Sequence, residues 1–415
     1  MRILWVKAGK LLPVDTGGKI RSYHILKHLM PAHEVKLISY YKGMRDPEYE
    51  NNLRIEFAEA EPIHSSGADG NGLSESGRYF MNLFSDLPYS IRKFTSKSVR
   101  ERVADLLNRK EYDVAICDFL SASRSFSGSS TIPAILFQHN VESTLWRRMA
   151  ETESHWLKRI AYRIEASRML RYEREAIKRF QHVIAVSEND RQQMLAIDPS
   201  CEISVVPTGV DTQTFTRVPH ADATEPRIVF VGSMDWEPNI DAVTYFVNQI
   251  FPKIRAEFPA ATFHIVGRNP APSVRRLIGP SILVTGGVPS VRPYLRDATV
   301  VVVPLQIGGG TRLKIFEAMA MGKALVSTTI GAEGLEVKNG RDLLLTDTPE
   351  TFADAVRVLL RDSELRRRYE DAAARLAARF DWSQIAERFA GIVSGVIEQR
   401  SSESRPKSSR TAAQP

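Results

Sequence analysis

Two basic side chains stand where a helix normally prefers acids. In the stretch GGGTRLKIFEAMAMGKALVST, residues 308–328, three glycines run into a helical pattern whose first turn carries Arg312 and Lys314. The start of a helix presents unpaired N–H groups and the positive end of the macrodipole, so cations there are unfavourable unless an anion sits among them. Glycines let a backbone approach a phosphate closely, helix N–H groups donate to it, and the two cations neutralise it. The plainer reading is a Lys314–Glu317 pair at i, i+3 with Arg312 in water, worth only about 0.3–0.5 kcal/mol. Phosphate binding explains the pattern better. A second focal residue is His139, at the carboxyl end of the strand-like run PAILFQHN. Its alternatives are a role in binding or polarising a substrate and a satisfied core imidazole.

These groups need elements to hold them. Short apolar, β-branched runs alternate with amphipathic helical stretches: RILWV, HEVKLISY, YDVAICDF, PAILFQHN, HVIAVS and ISVVP come first. A second series follows at PRIVFVGS, ATFHIVG, SILVTGG, ATVVVVP and KALVST. Such runs read as buried parallel strands, and the alternation predicts two doubly wound, Rossmann-like α/β domains. The predicted division is 1–210, a linker over 211–227 rich in Pro, Thr, Asp and His, and 228–380. An amphipathic helix is expected over 381–399, followed by a disordered tail at 400–415 with too few apolar residues to fold. In this frame the Gly308 stretch is a strand end, a glycine loop and a helix start, which is where ligands sit in such folds.

Composition narrows the partners. Over 415 residues the net charge is +7, and Lys+Arg against Asp+Glu run 30 to 26 over residues 1–210 and 26 to 23 over the rest. Neither half is a polyelectrolyte, which argues against nucleic acid. Two local excesses remain: residues 78–110 hold eight basic and three acidic side chains, and residues 144–180 hold ten and five. They are either solvated helix faces or surfaces that touch an anionic membrane. Cys117 and Cys201 lie in strand-like runs, so no disulfide framework is expected and a reducing cytoplasm fits. No apolar run approaches the roughly 20 residues needed to span a bilayer, and the N-terminal run is too short for a signal peptide. The expectation is a cytoplasmic chain, at most peripheral to the inner face of the plasma membrane. No His/Cys/Asp cluster at metal spacing appears, so neither metal nor cofactor is expected.

Five stretches together resemble the GT-B glycosyltransferases, and within them the retaining glycosyltransferase family four, of the group 1 type. They are DTGGKIRSYHILKHL (15–29), QHNVES (138–143), VVPTGVD (205–211), FVGSMDWEPNIDAV (230–243) and the Gly308 stretch followed by GAEGLEV (331–337). The nearest flavour is that of bacterial exopolysaccharide-associated sugar transferases. The resemblance implies two Rossmann-like domains facing a cleft, with the C-terminal helix returning to the first domain. It implies transfer of a sugar from a UDP- or GDP-linked donor to a glycan or lipid-linked acceptor, with retention and without metal.

Carried over residue by residue, the resemblance implies that Glu317 bonds the ribose hydroxyls and that backbone around Gly287 and Val288 holds the base. The family's paired glutamate eight positions earlier is missing, because Gly309 stands there; its contact then falls to the backbone of Gly309, Gly310 and Thr311 or is lost. The family's cations after the first strand of the second domain are also missing, since VGSMDWEPN has none. That leaves diphosphate neutralisation to Arg312 and Lys314. Gly232, Ser233 and Asn239 border the same site, though Asn239 fits a helix N-cap equally well. Gly17 and Gly18 form a loop that approaches the diphosphate, or a plain turn; Gly287 and Val288 have the same alternative. His139 matches the acceptor-side histidine, expected opposite Gly309 and Gly310, and Glu142 either orients it or caps the next helix.

Two further readings stay open: a nucleotide-sugar-binding protein of this fold that has lost catalysis, and a GT-B-fold sugar-nucleotide epimerase. Turnover of a labelled donor with and without acceptor separates them.

Overall fold

The structure is a computed structural model describing residues 1–65, 85–126, 130–153, 155–217, 225–307 and 312–403. The chain divides into two compact units, Met1–Val206 together with the chain from Ala386 onward, and Pro207–Ile385.

The first unit carries a seven-stranded parallel sheet of β1 (Arg2–Ala8), β2 (Glu34–Tyr41), β3 (Ala60–His64), β4 (Val114–Asp118), β5 (Ala134–Phe137), β6 (His182–Ala185) and β7 (Ile203–Val205), in the order β3-β2-β1-β4-β5-β6-β7. In β1, Ile3 to Val6 are fully buried. Such a strand is covered on both faces, which is why it reads as a continuous apolar run and not an alternating one. The helix Trp382–Glu403 packs on this unit: the Phe389 ring lies 5.5 Å from Trp5 and 5.2 Å from Phe137.

The second unit holds a six-stranded parallel sheet of β8 (Arg227–Val231), β9 (Thr262–Val266), β10 (Ile282–Val284), β11 (Val300–Val303), β12 (Leu325–Ser327) and β13 (Leu344–Leu345), in the order β10-β9-β8-β11-β12-β13. In each sheet the strand order runs outward from the first strand and then reverses, so a switch point falls between β1 and β4 and again between β8 and β11. In open sheets of this kind the switch point is where the loops at the carboxyl ends of the strands diverge and ligands bind.

Three sequence expectations need correction. The sheets have two more strands than the sequence suggested: β3 carries Pro62 and alternating polar residues, tolerated because the strand lies at a sheet edge, and β13 is only two residues long. Arg227, expected in the linker, opens β8. The last helix continues to Glu403 rather than stopping at 399; the remainder of the tail lies outside the described residues.

Candidate active site

At the second sheet's switch point the end of β8 meets the start of the helix Leu313–Ala320. Lys314 stands in the first turn of that helix, and its Nζ donates to Asn239 Oδ1 at 2.8 Å. Asn239 in turn donates from Nδ2 to the Ser233 carbonyl at 2.8 Å. It is therefore not an N-cap: the helix Glu237–Tyr245 has Trp236 at that position, and Asn239 holds the β8 loop against the lysine. The Lys314 ammonium also lies 4.3 Å from the centre of the Phe230 ring. A Cβ on Gly232 would come within 2.8 Å of Asn239 Nδ2 and 2.9 Å of Lys314 Nζ, so a larger residue there would have to displace them.

Lys314 and Glu317 do not form the i, i+3 ion pair that the plainer reading required. Lys314 is committed to Asn239, and the Glu317 carboxylate makes no hydrogen bond or ion pair among the described residues. Desolvation pushes Lys314 down to about 7, with Arg312 adding to the shift and Glu317 opposing it. Desolvation also pushes Glu317 up to about 7, against the pull of Lys314. The cation and the carboxylate thus both lose by burial and do not bond each other.

Arg312 is the N-cap residue of this helix and has no capping side-chain bond. Its guanidinium turns to the segment after β12, donating to the Ile330 carbonyl at 2.9 Å and lying 3.8 Å from Glu333. Gly309, Gly310 and Thr311 lie outside the described residues.

A cation that the sequence reading passed over stands beside this cluster. Arg268 follows β9, and its Nε donates to Ser233 Oγ at 3.1 Å. Its signal was the GR that ends the strand-like run FHIVGR, in the same strand-end position as VGS after β8. Gly267 lets the two loops touch: a Cβ there would fall 1.6 Å from the Gly232 carbonyl oxygen. Gly287 and Val288 follow β10, and the residue in the left-handed region is Gly286, at φ +71°.

The first sheet's switch point gathers a different set. Asp118, the last residue of β4, is fully buried and accepts from Trp5 Nε1 at 2.9 Å and from Lys7 Nζ at 3.1 Å. Lys7 also donates to Ser22 Oγ at 3.0 Å. His139 Nε2 lies 2.9 Å from Asp118 Oδ1, close but off the alignment of a hydrogen bond. The imidazole is buried, 4.5 Å from the Phe137 ring and 5.3 Å from that of Phe119. Burial pushes His139 down to about 4 despite Asp118, so the ring is neutral at pH 7. Burial works to raise the Asp118 carboxyl, but Lys7, His139 and Ser22 together hold it well below the usual carboxylate range.

Gly17 opens the helix Gly17–Leu29, and a Cβ on Gly18 would stand 3.2 Å from His139 Nδ1. The glycines are thus part of a helix start packed beneath the histidine rather than a plain turn. Arg21, in the same helix, is fully buried; desolvation pushes it down to about 10 against the pull of Asp190 and Asp118. Lys7, Arg21 and Asp118 were missed because each sits in or beside an apolar run that reads as core.

Glu142 does not cap the next helix, and among the described residues its carboxylate bonds Asn140 and not His139. It is the first residue of the helix Glu142–Thr152 and accepts from Asn140 Nδ2 at 3.1 Å. Burial pushes it up to about 7. The cap comes from Glu173, on the helix Trp156–Arg179, which accepts from the Glu142 and Ser143 amides at 2.8 and 3.1 Å and from Gln138 at 3.1 Å. Among the described residues no group of three His, Cys, Asp or Glu side chains is placed to hold a metal ion, and no helix is long and apolar enough to cross a membrane.

Two doubly wound sheets, each with charged groups at its switch point, define a two-domain, Rossmann-like α/β protein. Residues 17–214 match the model of the family described as Glycosyltransferase Family 4, and residues 225–362 that described as Glycosyl transferases group 1. The chain is a glycosyltransferase with the GT-B fold. It is 22% identical over 365 residues to an "Uncharacterized 44.6 kDa protein in cps region" of Klebsiella pneumoniae, covering 85% of this chain and 89% of that one. It is 29% identical over 219 residues to a phosphatidyl-myo-inositol mannosyltransferase of Mycobacterium tuberculosis, covering 49% of this chain and 56% of the relative. Among solved structures it resembles HepE of Anabaena in complex with UDP, at a TM-score of 0.67 and 16% identity over 95% of this chain and 100% of that one.

Proposed function

We propose that the protein transfers a sugar from a nucleoside-diphosphate sugar, UDP- or GDP-linked, to a glycan or lipid-linked acceptor in cell-surface polysaccharide synthesis, with retention at the anomeric carbon. The observation that carries this reading is the Lys314 cluster. A desolvated ammonium sits in the first turn of a helix at a switch point, and one turn further on stands a carboxylate with no hydrogen bond or ion pair among the described residues. An incoming diphosphate supplies the anion that Lys314 lacks, and ribose hydroxyls supply the donors that Glu317 lacks.

As the bond from the anomeric carbon to the diphosphate breaks, negative charge grows on the leaving oxygens. Lys314 and the helix N–H groups stabilise that charge, with Arg268 adjacent and Arg312 at the helix start. These protein cations do the work that a divalent ion does elsewhere, which is the basis for proposing metal independence. Gly232, Ser233 and Asn239 shape the wall beside the phosphates, backbone at Gly287 and Val288 holds the base, and Gly309, Gly310 and Thr311 take the place of the missing first glutamate. In the first domain, Gly17, Gly18 and the neutral imidazole of His139 serve the sugar and acceptor side.

The solved complexes of HepE with UDP and with UDP-glucose support a nucleoside diphosphate as the ligand class. The Klebsiella relative and the mycobacterial mannosyltransferase support the cell-surface setting and a lipid-linked acceptor. The protein then works in the cytoplasm at the inner face of the membrane.

Incubating the full chain with a panel of labelled UDP- and GDP-sugars, with and without a lipid-linked acceptor extract, tests the proposal. Label transferred to acceptor supports it. Nucleotide binding without turnover would identify an inactive binder, and an altered donor sugar formed without acceptor would identify an epimerase.

A further inference from the structure

The helix Trp156–Arg179 begins in solvent. Residues 155–160 are all exposed, and four large apolar side chains lie within the first nine residues: Trp156 at 60% exposure, Leu157 at 53%, Ile160 at 46% and Ile164 at 38%. At about 100° per residue, positions 156, 157, 160 and 164 fall within one arc of about 100°. A single exposed leucine needs no explanation; a continuous apolar row at the tip of a helical hairpin does. The tip is braced, because the Trp146 ring of the preceding helix lies 5.7 Å from that of Tyr162.

The charges around this row are mostly basic, with Glu153, which accepts from the His155 amide, the acid nearest its start. Residues 144–180 hold ten basic and five acidic side chains. Two of the acids, Glu165 and Glu173, are fully buried, and burial pushes both carboxyls up. Glu165 accepts from the Tyr89 amide, and Glu173 is the helix cap already described. The outward balance is therefore more basic than the sequence count. Arg159 and Arg163 border the apolar arc on one side, and Lys158 lies beyond Leu157 on the other. The 78–110 segment adds a second basic stretch, although 78–84 lie outside the described residues.

An apolar arc with a tryptophan, bordered by arginine and lysine, matches the surface of an anionic bilayer: rings and branched chains enter the acyl boundary while cations meet lipid phosphates. A protein partner would have to combine an apolar groove with an acidic rim, whereas an anionic bilayer offers both features everywhere. We infer that the hairpin tip around Trp156, Leu157, Ile160 and Ile164 is a foot that seats the enzyme on anionic phospholipid. The inference rests on the proposal that the acceptor is membrane-borne, and it assigns that contact to one helix tip.

Flotation with vesicles tests it. The full chain is mixed with neutral phosphatidylcholine vesicles and with vesicles containing phosphatidylglycerol, beside the variant Trp156→Ser/Leu157→Ser/Ile160→Ser and the variant Lys158→Gln/Arg159→Gln/Arg163→Gln. The wild-type chain should float with the anionic vesicles and not with the neutral ones. Loss of the three charges should weaken partition by about a hundredfold, in a salt-dependent way. Loss of the three apolar groups should weaken it by at least about tenfold. UDP and GDP affinity, measured calorimetrically, should be unchanged in both variants. Absence of wild-type flotation, or equal flotation of all three chains, would overturn the foot; a wild-type dimer that the serine variant turns into a monomer without vesicles would assign the row to a second copy instead. Failure of UDP and GDP binding in the wild-type chain would strike the nucleotide-sugar reading and leave the foot to be judged on flotation alone.

Discussion

Lys314 Nζ stands 2.8 Å from Asn239 Oδ1, and so joins the helix Leu313–Ala320 to the helix Glu237–Tyr245 across 75 positions of sequence. The bond holds an ammonium at the mouth of the switch point, desolvated and short of negative charge. Replacing Lys314 with Ala should lower transferase turnover by about 100-fold or more, as the loss of a transition-state charge contact commonly does. Steady-state kinetics with a saturating donor measures it. A near-normal rate would remove Lys314 from the chemistry.

Gly232 is bounded by that same pair. A methyl group there would stand 2.8 Å from Asn239 Nδ2 and 2.9 Å from Lys314 Nζ. The lysine can swing away, but Asn239 is held by the Ser233 carbonyl. Gly232→Ala should therefore displace both side chains, weaken nucleoside-diphosphate affinity by about tenfold and cost about 1–3 kcal/mol of stability. Calorimetric titration and thermal melting of one preparation separate the two effects. Wild-type values in both would mean that the loop adapts without loss.

Protonation gives a signature that does not depend on turnover. With its pKa lowered from 10.5 to about 7, Lys314 is mostly neutral at pH 8 in the free protein, whereas the unfolded chain would hold that proton. Its contribution to stability consequently rises between pH 7 and about 10.5 and is at its most unfavourable below pH 7. Glu317, raised to about 7, has already ionised at pH 8. Binding of a diphosphate at pH 8 should therefore take up a proton at Lys314, and affinity should weaken as the pH rises from 7 to 9. Titrations in buffers of different ionisation enthalpy count that proton. Zero uptake, or the same uptake in Lys314→Met, would assign the linkage elsewhere.

The helix-start cations were visible in sequence because they break a local rule, and local rules are what a sequence displays. Eleven of the strands were visible for a similar reason: runs such as VVVV in β11 have no other comfortable place than a covered sheet. The partners of those residues were not visible. Nothing near Lys314 in the chain points to Asn239, and the nearer candidate, Glu317, turned out not to pair with it. Asp118 ends an apolar strand and looks like its polar boundary, yet it is fully buried and gathers Trp5, Lys7 and His139. Glu142 stood in the right place to cap its own helix. Glu173, thirty-one positions later, does so instead.

His139 should make the first domain acid-sensitive. Its pKa falls from 6.5 in the unfolded chain to about 4 on burial, so below pH 6.5 the unfolded chain binds the extra proton first. Stability is then lost as the pH falls from 6.5 toward 4, by up to about 3 kcal/mol from this group. His139→Gln should flatten that slope in melting temperature against pH. If the imidazole also serves the reacting sugar, the same variant should depress turnover more than nucleotide affinity, as contacts made mainly in the transition state do. An unchanged slope would place the titration on another group, and unchanged turnover would leave His139 a core residue held by Phe137 and Phe119.

A crystal structure of the full chain with bound UDP or GDP would show whether a nucleoside diphosphate lies at the switch point of the second sheet. Phosphate oxygens are expected within hydrogen-bond distance of Lys314 Nζ and of the first amides of the helix Leu313–Ala320, and ribose hydroxyls on the Glu317 carboxylate. A nucleotide bound elsewhere, or bound here with Glu317 untouched and Lys314 still committed to Asn239 alone, would contradict this placement.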